Sequence, residues 1–269
     1  MSTKRNLGMA RDFASDSGTD KEFMTTLAKG LAVLGSFGEQ RPTMTLSQAA
    51  AASGLSRATA RRVLRTLAGL GYVAQRGRDF SLAPRILELG FAYLSTQSWV
   101  DRAEPLMKEL SHDVQESCSA AILQGAEIVY VARMPAPHRI MSTTIAIGTR
   151  LTAFHTSLGR VQLGFLTDTE IVERLRLSPP PPQTPRTITA PDALLARIKA
   201  DRAQGYSIVD EELEKGLRSV AVPIITRGGV NVGAINLSAH SSRSSRNDLR
   251  DRFLPKLDAV AGQISRTLI

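Results

Sequence analysis

Apolar positions in the first part of the chain recur at helical spacing in successive runs. In FMTTLAKGLAVLGSFGE, Leu27, Leu31 and Leu34 share one face with Val33 and Phe37 on its flank, which predicts an amphipathic helix ending near Gly38. TMTLSQAAAASGLSRATARRVLRTLAGLGYV predicts two more helices joined by a tight turn. The first begins at Thr45, whose hydroxyl suits an N-cap, and runs through the alanines to Ser53, after which Gly54 supplies the left-handed backbone of a short turn. Ser56 caps the second, where Ala60, Val63, Leu64 and Leu67 form the apolar stripe. GYVAQRGRDFSLAP then alternates and turns at Arg76-Gly77-Arg78, the pattern of a two-stranded wing.

Helical spacing resumes in PRILELGFAYLSTQSWV, whose Phe91, Tyr93 and Trp99 suit either packing between subunits or domains or an ordinary core. VDRAEPLMKELSHDVQES is a further helix with Pro105 near its first turn. Beyond it the period shortens, and AAIL, IVYVARM, RIMSTTIAI, SVAVPIIT and VGAINLS are rich in β-formers, the last two flanking the turn RGG. Helical stretches at 157–166, 169–177, 191–204 and 247–268 intervene, and the PPPP run at 179–182 reads as a surface loop. Strands and helices mixed in this way predict an α+β fold, and 269 residues allow two domains.

Charge changes this picture. The chain holds 34 Lys and Arg against 25 Asp and Glu, a formal charge of +9, and the excess is uneven. Between positions 57 and 85, Arg57, Arg61, Arg62, Arg65, Arg76, Arg78 and Arg85 face only Asp79. On the helix capped by Ser56, Arg57, Arg61 and Arg65 lie four residues apart with Thr59 and Arg62 beside them. A helix built only to be solvated interleaves Glu with Arg at i,i+4, because bare like charges repel, so the balancing charge here must come from outside. Two helices joined by a Gly-containing turn, the second with a basic outer face, form the arrangement that enters a DNA major groove. The candidate DNA contacts are Thr45, Ser56, Arg57, Thr59, Arg61, Arg62 and Arg65, with Arg76 and Arg78 at the wing tip. Arginines on phosphate supply salt-sensitive affinity, whereas side chains near the start of the second helix reach base edges.

Other chemistries find little support. No apolar run is long enough for a membrane span, and the N-terminus lacks an apolar signal core, which points to the cytoplasm. The single Cys118 excludes an intrachain disulfide and reads as a small buried hydrophobe. His112, His138, His155 and His240 have no metal-ligand spacing, and no nucleophile elbow or phosphate-binding glycine loop is present. Asp210, Glu211 and Glu212 read as a solvated run or as partners of Lys215 and Arg218 rather than as acid/base groups. No catalytic residue, metal or cofactor is therefore expected. In GTRLTAFHTSLGRV, His155, Thr156 and Ser157 precede an apolar helix, whose N-terminus is either simply capped by them or offers unpaired N–H groups to a carboxylate.

GLAVLGSF, ASGLSRATARRVLRTLAGLGYV and FSLAPRILELGFAYLS, followed in order by IVYVARMP, RIMS, IGTRLTAFHTSLGRV, GYSIVDEELEKGLRSVAVP and GAINLSAH, carry a wider likeness. The chain resembles the IclR family of bacterial transcriptional regulators, in its aromatic-acid-catabolism branch. Residues 1–22, polar and without periodicity, read as a mobile lead; the resemblance implies a winged helix-turn-helix at 23–83, a linker helix at 84–99 and a GAF-like α/β effector-binding domain at 100–269. It implies double-stranded operator DNA as a partner, a homodimer or homotetramer built as a dimer of dimers, and a small aromatic or dicarboxylic acid effector such as protocatechuate, 4-hydroxybenzoate or 3-oxoadipate. Carried over by motif, the effector pocket comprises Leu151, Ala153, His155, Thr156, Ser157 and Leu158, then Asp210, Leu217 and Ser219, then Asn236 and Ser238. Some members have Cys in place of Ser219 and Ser in place of Asn236, so this pocket differs from theirs. Arg133, Arg139, Arg150 and Arg160 are the candidate carboxylate partners. The alternatives are a small-molecule-processing enzyme or sensor with an accessory nucleic-acid domain, and a nucleoid protein without an effector.

Overall fold

Local capping chemistry sets the central helix pair of the N-terminal half. The computed structural model describes residues 22–136 and 145–268, and the chain divides into two compact units between Ser95 and Thr96. Most of the lead at 1–22, the RIMS motif with Arg139, and His138 lie outside the described residues. In the first unit, α1 (Thr25–Gly35) is followed by β1 (Thr43–Thr45) and α2 (Leu46–Ser53). Thr45 and Gln48 close a reciprocal capping box on α2, and Gly54 ends it at φ +68°. Ser56 accepts a bond from Thr59 N at 3.2 Å to start α3 (Arg57–Gly69), which buries Ala60, Val63, Leu64 and Leu67 as the stripe predicts. β2 (Val73–Arg76) and β3 (Asp79–Leu82) form the wing, turning through Gly77 at φ +61°.

Two features of this unit depart from expectation. α1 joins the core through Val33, Leu34 and Phe37 at its C-terminal end, while Leu27 and Leu31 stay exposed. β1 adds a third strand by pairing Met44 with Phe80 of β3; at three residues it is too short to show an alternating pattern.

The helix expected across 84–100 is two helices, α4 (Ile86–Leu94) and α5 (Ser98–Val114). Pro105 lies inside α5 rather than in its first turn. The three aromatics separate accordingly: Phe91 is 71% exposed on α4, which buries nothing, whereas Trp99 is 3% exposed within the second unit.

Among the described residues, that unit is built on one antiparallel sheet of six strands in the order β6-β5-β4-β9-β8-β7. The strands are β4 (Ser117–Gln124), β5 (Glu127–Met134), β6 (Arg150–Thr152), β7 (Ser207–Asp210), β8 (Leu217–Ile225) and β9 (Asn231–His240). Three helices follow β6: α6 (Ser157–Leu163), α7 (Asp168–Leu177) and α8 (Pro191–Gln204). The C-terminal helix expected at 247–268 is a turn at Arg246–Asp248, a π-helical stretch at Leu249–Phe253 and α9 (Leu254–Arg266). Successive β9 residues point to opposite faces of the sheet. Gly233 lies against Trp99 of α5, where an added Cβ would sit 2.5 Å from the ring, and Ala234 joins Leu158 and Val161 of α6 in the core. β6 and β7 were not foreseen, and the described part of RIMSTTIAI is not a strand.

Candidate functional site

Six arginines of the basic patch share one property. Arg57, Arg61, Arg62 and Arg65 on α3, with Arg76 and Arg78 at the wing, are all exposed, and none has an ion-pair partner among the described residues. Arg85 does not belong with them. Its guanidinium donates to the Leu70 carbonyl beyond the end of α3 at 2.9 Å, pairs with Glu88 at 3.3 Å and lies over the Tyr72 ring. The Thr45 hydroxyl is engaged in the α2 capping box, and Ser56 and Thr59 hydroxyls lie 2.9 Å apart at the start of α3. These three residues therefore fix the helix ends from which the arginines project.

In the second unit, a cavity of about 80 Å³ opens between the β5-β4-β9-β8-β7 part of the sheet and the start of α6. On the measure by which one water needs about 10–15 Å³, this is room for a small organic molecule. His155, Thr156, Ser157, Leu217, Ser219, Asn236 and Ser238 border it, bringing together residues from all three predicted segments. Register explains the convergence, because Ser219 pairs with Ser238 and Ala221 with Asn236 across β8 and β9.

The other predicted pocket residues do not reach it. Ala153 and Leu158 are fully buried in the hydrophobic core, and Leu151 packs against that core. The Ala153 backbone comes so close to α6 that a Cβ on Gly159 would sit 2.2 Å from its carbonyl oxygen. Asp210 is taken up on the surface by Arg218 and Arg186.

Several lining residues escape sequence reasoning. Tyr130 and Arg133 are three positions apart and would face opposite ways on a regular strand, yet both border the cavity. A β-bulge at Ala120/Ala121 lets Ala121 pair with Tyr130 and Ala120 with Ala132, and the extra residue re-aims Arg133 inward. Leu213, Glu214, Lys215 and Gly216 of the β7–β8 loop, with His240, complete one side. His240 could have been found by continuing the period of two from Asn236 and Ser238, but nothing in the sequence announces a bulge.

Four candidate arginines were named for a carboxylate, and the described geometry separates three of them. Arg150 is held by Glu127 at 2.9 Å and Gln124 at 2.6 Å. Arg160 is wholly buried, donates to Phe154 O at 2.7 Å and forks onto both carboxylate oxygens of Glu212, one of them at 2.8 Å. Glu212 is accordingly buried, not part of a solvated run, while Asp210 and Glu211 pair with Arg218 as expected. Arg133 alone of the three borders the cavity, where burial lowers its pKa against the opposing influence of Tyr130. Burial in turn pushes the Tyr130 phenol up to about 12, with Arg133 acting the other way.

At the start of α6 the hydroxyls are engaged. Thr156 accepts from Gly159 N at 3.2 Å and donates to Thr152 O at 3.0 Å, and Ser157 donates to Ser219 Oγ at 2.8 Å. His155 Nε2 lies 3.0 Å from the Ile188 carbonyl, which can only accept, so that nitrogen carries the proton. Cys118 is buried elsewhere in the sheet, its thiol raised to about 12 by desolvation. No group of three or more His, Cys, Asp and Glu among the described residues could hold a metal ion. No helix among them is long and apolar enough to cross a membrane.

Comparison with known proteins decides the family. The profile of the IclR helix-turn-helix domain matches residues 26–77, and that of the bacterial transcriptional regulator IclR C-terminal domain matches residues 91–266. The chain belongs to the IclR family of transcriptional regulators. Among its IclR relatives, the Pca regulon regulatory protein of Pseudomonas putida is 41% identical over 249 residues, covering 93% of this chain and 86% of that protein. The p-hydroxybenzoate hydroxylase transcriptional activator of Acinetobacter baylyi is 32% identical, covering 95% and 96%. A solved Rhodococcus sp. RHA1 structure is 48% identical with a TM-score of 0.80, covering 91% of this chain and 98% of that one. The PobR inducer binding domain from Acinetobacter, solved as a double mutant with 3-hydroxybenzoic acid, is 28% identical with a TM-score of 0.57, covering 61% and 96%. Membership of this family of regulators sets aside the enzyme alternative.

Proposed function

We propose that this IclR-family regulator binds double-stranded operator DNA through α3 and the wing and controls aromatic-compound catabolic genes in response to a small organic acid held in the cavity. The observation that carries the ligand reading is the placement of Arg133 beside a cavity whose other walls bear hydroxyl and amide groups from three separate segments. A carboxylate seated on that guanidinium would gain a charge-assisted bond in a site partly shielded from water. Protocatechuate and 4-hydroxybenzoate suit the cavity's scale, and 3-oxoadipate is the dicarboxylic alternative. The 41% identity to a Pca regulon regulator and the 3-hydroxybenzoic acid held by the PobR inducer domain support the aromatic choice.

In this reading residues 23–83 bind DNA, 84–99 link, and 100–269 sense the acid. The protein works in the cytoplasm as a homodimer or a dimer of dimers; the uncovered apolar side chains Leu87, Leu89 and Phe91 of α4 support self-association. The acid acts by binding one arrangement of the assembly more tightly than another. A thermal-shift screen of these acids tests the proposal, since a ligand that binds only the native state raises its apparent stability. Wild-type protein should respond, and Ser219→Leu should lose the response while retaining operator binding. An equal shift in both proteins would overturn the assignment of the cavity.

A further inference from the structure

Asn236 presents an unmet hydrogen-bonding demand at the cavity wall. The residue is 4% exposed, and its Nδ2 donates to Ser238 Oγ at 3.1 Å. Its Oδ1 is shut off from water and has no hydrogen-bond partner among the described residues. A buried carbonyl oxygen left without a donor is unfavourable, and such groups are rare in native proteins. The nearby hydroxyl protons of Thr156 and Ser157 go to Thr152 O and Ser219 Oγ.

Strand register sets Asn236 two strands from Arg133, whose Nη1 lies 3.5 Å from the Ser119 hydroxyl between them. Ser119 of β4 pairs with Arg133 of β5 on one side and with Asn236 of β9 on the other, so the three form one row across the sheet. Two inter-strand spacings put the Arg133 and Asn236 Cα atoms about 10 Å apart.

We propose that Asn236 is a specificity-determining residue, selecting acids that carry a hydrogen-bond donor remote from their carboxylate. With the carboxylate on Arg133, a ring hydroxyl or amine on the far side donates to Asn236 Oδ1. A keto or second carboxylate oxygen only accepts, and leaves that oxygen unpaired. An ortho-hydroxyl fails for a different reason: it lies about 2.6 Å from its own carboxylate and cannot span the row. The ligand class is thus meta- or para-hydroxylated aromatic acids, which excludes 3-oxoadipate. This inference rests on the cavity being the acid-binding site.

Calorimetric titration of the full chain with 4-hydroxybenzoate, 4-aminobenzoate and 4-fluorobenzoate tests it, because the three are similar in size and only the first two donate. The hydroxy and amino compounds should bind, with the fluoro compound at least about tenfold weaker. In Asn236→Leu, 4-hydroxybenzoate should fall to the level of the fluoro compound; should that variant not fold, the wild-type ranking still decides. Equal binding of all three, or a tenfold preference that survives in Asn236→Leu, would overturn the role of Asn236 and leave the cavity as an acid site. Failure of all three to bind would instead overturn the acid-site reading, and this proposal with it.

Discussion

The guanidinium groups of α3 and of α6 carry the same charge in opposite settings. Arg57, Arg61, Arg62 and Arg65 stand in solvent with no carboxylate among the described residues to pair them, at the cost of mutual repulsion along one helix. Arg160 has no solvent contact and donates to both carboxylate oxygens of Glu212 and to the Phe154 carbonyl. Charge removed from water must be matched on the spot, so the Arg160 pair ties α6 to the β7–β8 loop beside the cavity. Charge left in water can await an external partner, and a polyanion releases counterions when it supplies one. The arginine count alone distinguishes neither case; the location of the nearest carboxylate does.

Breaking the buried pair should have the largest effect. Glu212→Ala leaves a guanidinium enclosed without its counter-charge, and should cost about 3–5 kcal/mol of stability in urea denaturation. A loss below 1 kcal/mol would mean that Arg160 finds water or another partner. Arg85 offers an intermediate case, since it lies within the basic run yet is bonded to Leu70 O and Glu88. Arg85→Ala should cost about 1 kcal/mol, reduced by its exposure, and leave the salt dependence of DNA binding unchanged. The smallest stability effect, with the opposite sign, comes from giving α3 the carboxylate it lacks. Ala58→Glu places an acid four residues before Arg62 and near the helix start, and should stabilise the first unit by a few tenths of a kcal/mol while weakening operator binding. A variant that was both more stable and bound operator as tightly would argue against α3 as the DNA face.

The contrast also marks what could be read before the structure. Thr45, Gly54 and Ser56 act within a turn or two of chain, so their capping roles follow from residue type and spacing, and with them the helix pair and the direction of its arginines. The cavity depends on distant pairings. Arg160 meets Glu212 across 52 positions, and no local pattern sets Glu212 apart from its neighbours Asp210 and Glu211, which face Arg218 and Arg186. Arg133 enters the cavity only because a bulge shifts register between β4 and β5. Motif resemblance located Ser219, Asn236 and Ser238 on the lining, but it also named Ala153 and Leu158, which are core residues of the same segment. A motif marks a stretch of chain; the side of it that faces the ligand is set by packing.

In the proposed reading, the arginines of α3, which have no carboxylate partner among the described residues, are held for DNA phosphate. Its most direct test is the slope of log K against log salt for operator binding, compared between wild type and Arg61→Ala/Arg62→Ala. If both residues contact phosphate, the slope should become shallower by about 1.8, at about 0.9 per contact, with weaker binding at every salt concentration and stability within about 0.5 kcal/mol of wild type. An unchanged slope with unchanged affinity would contradict the account.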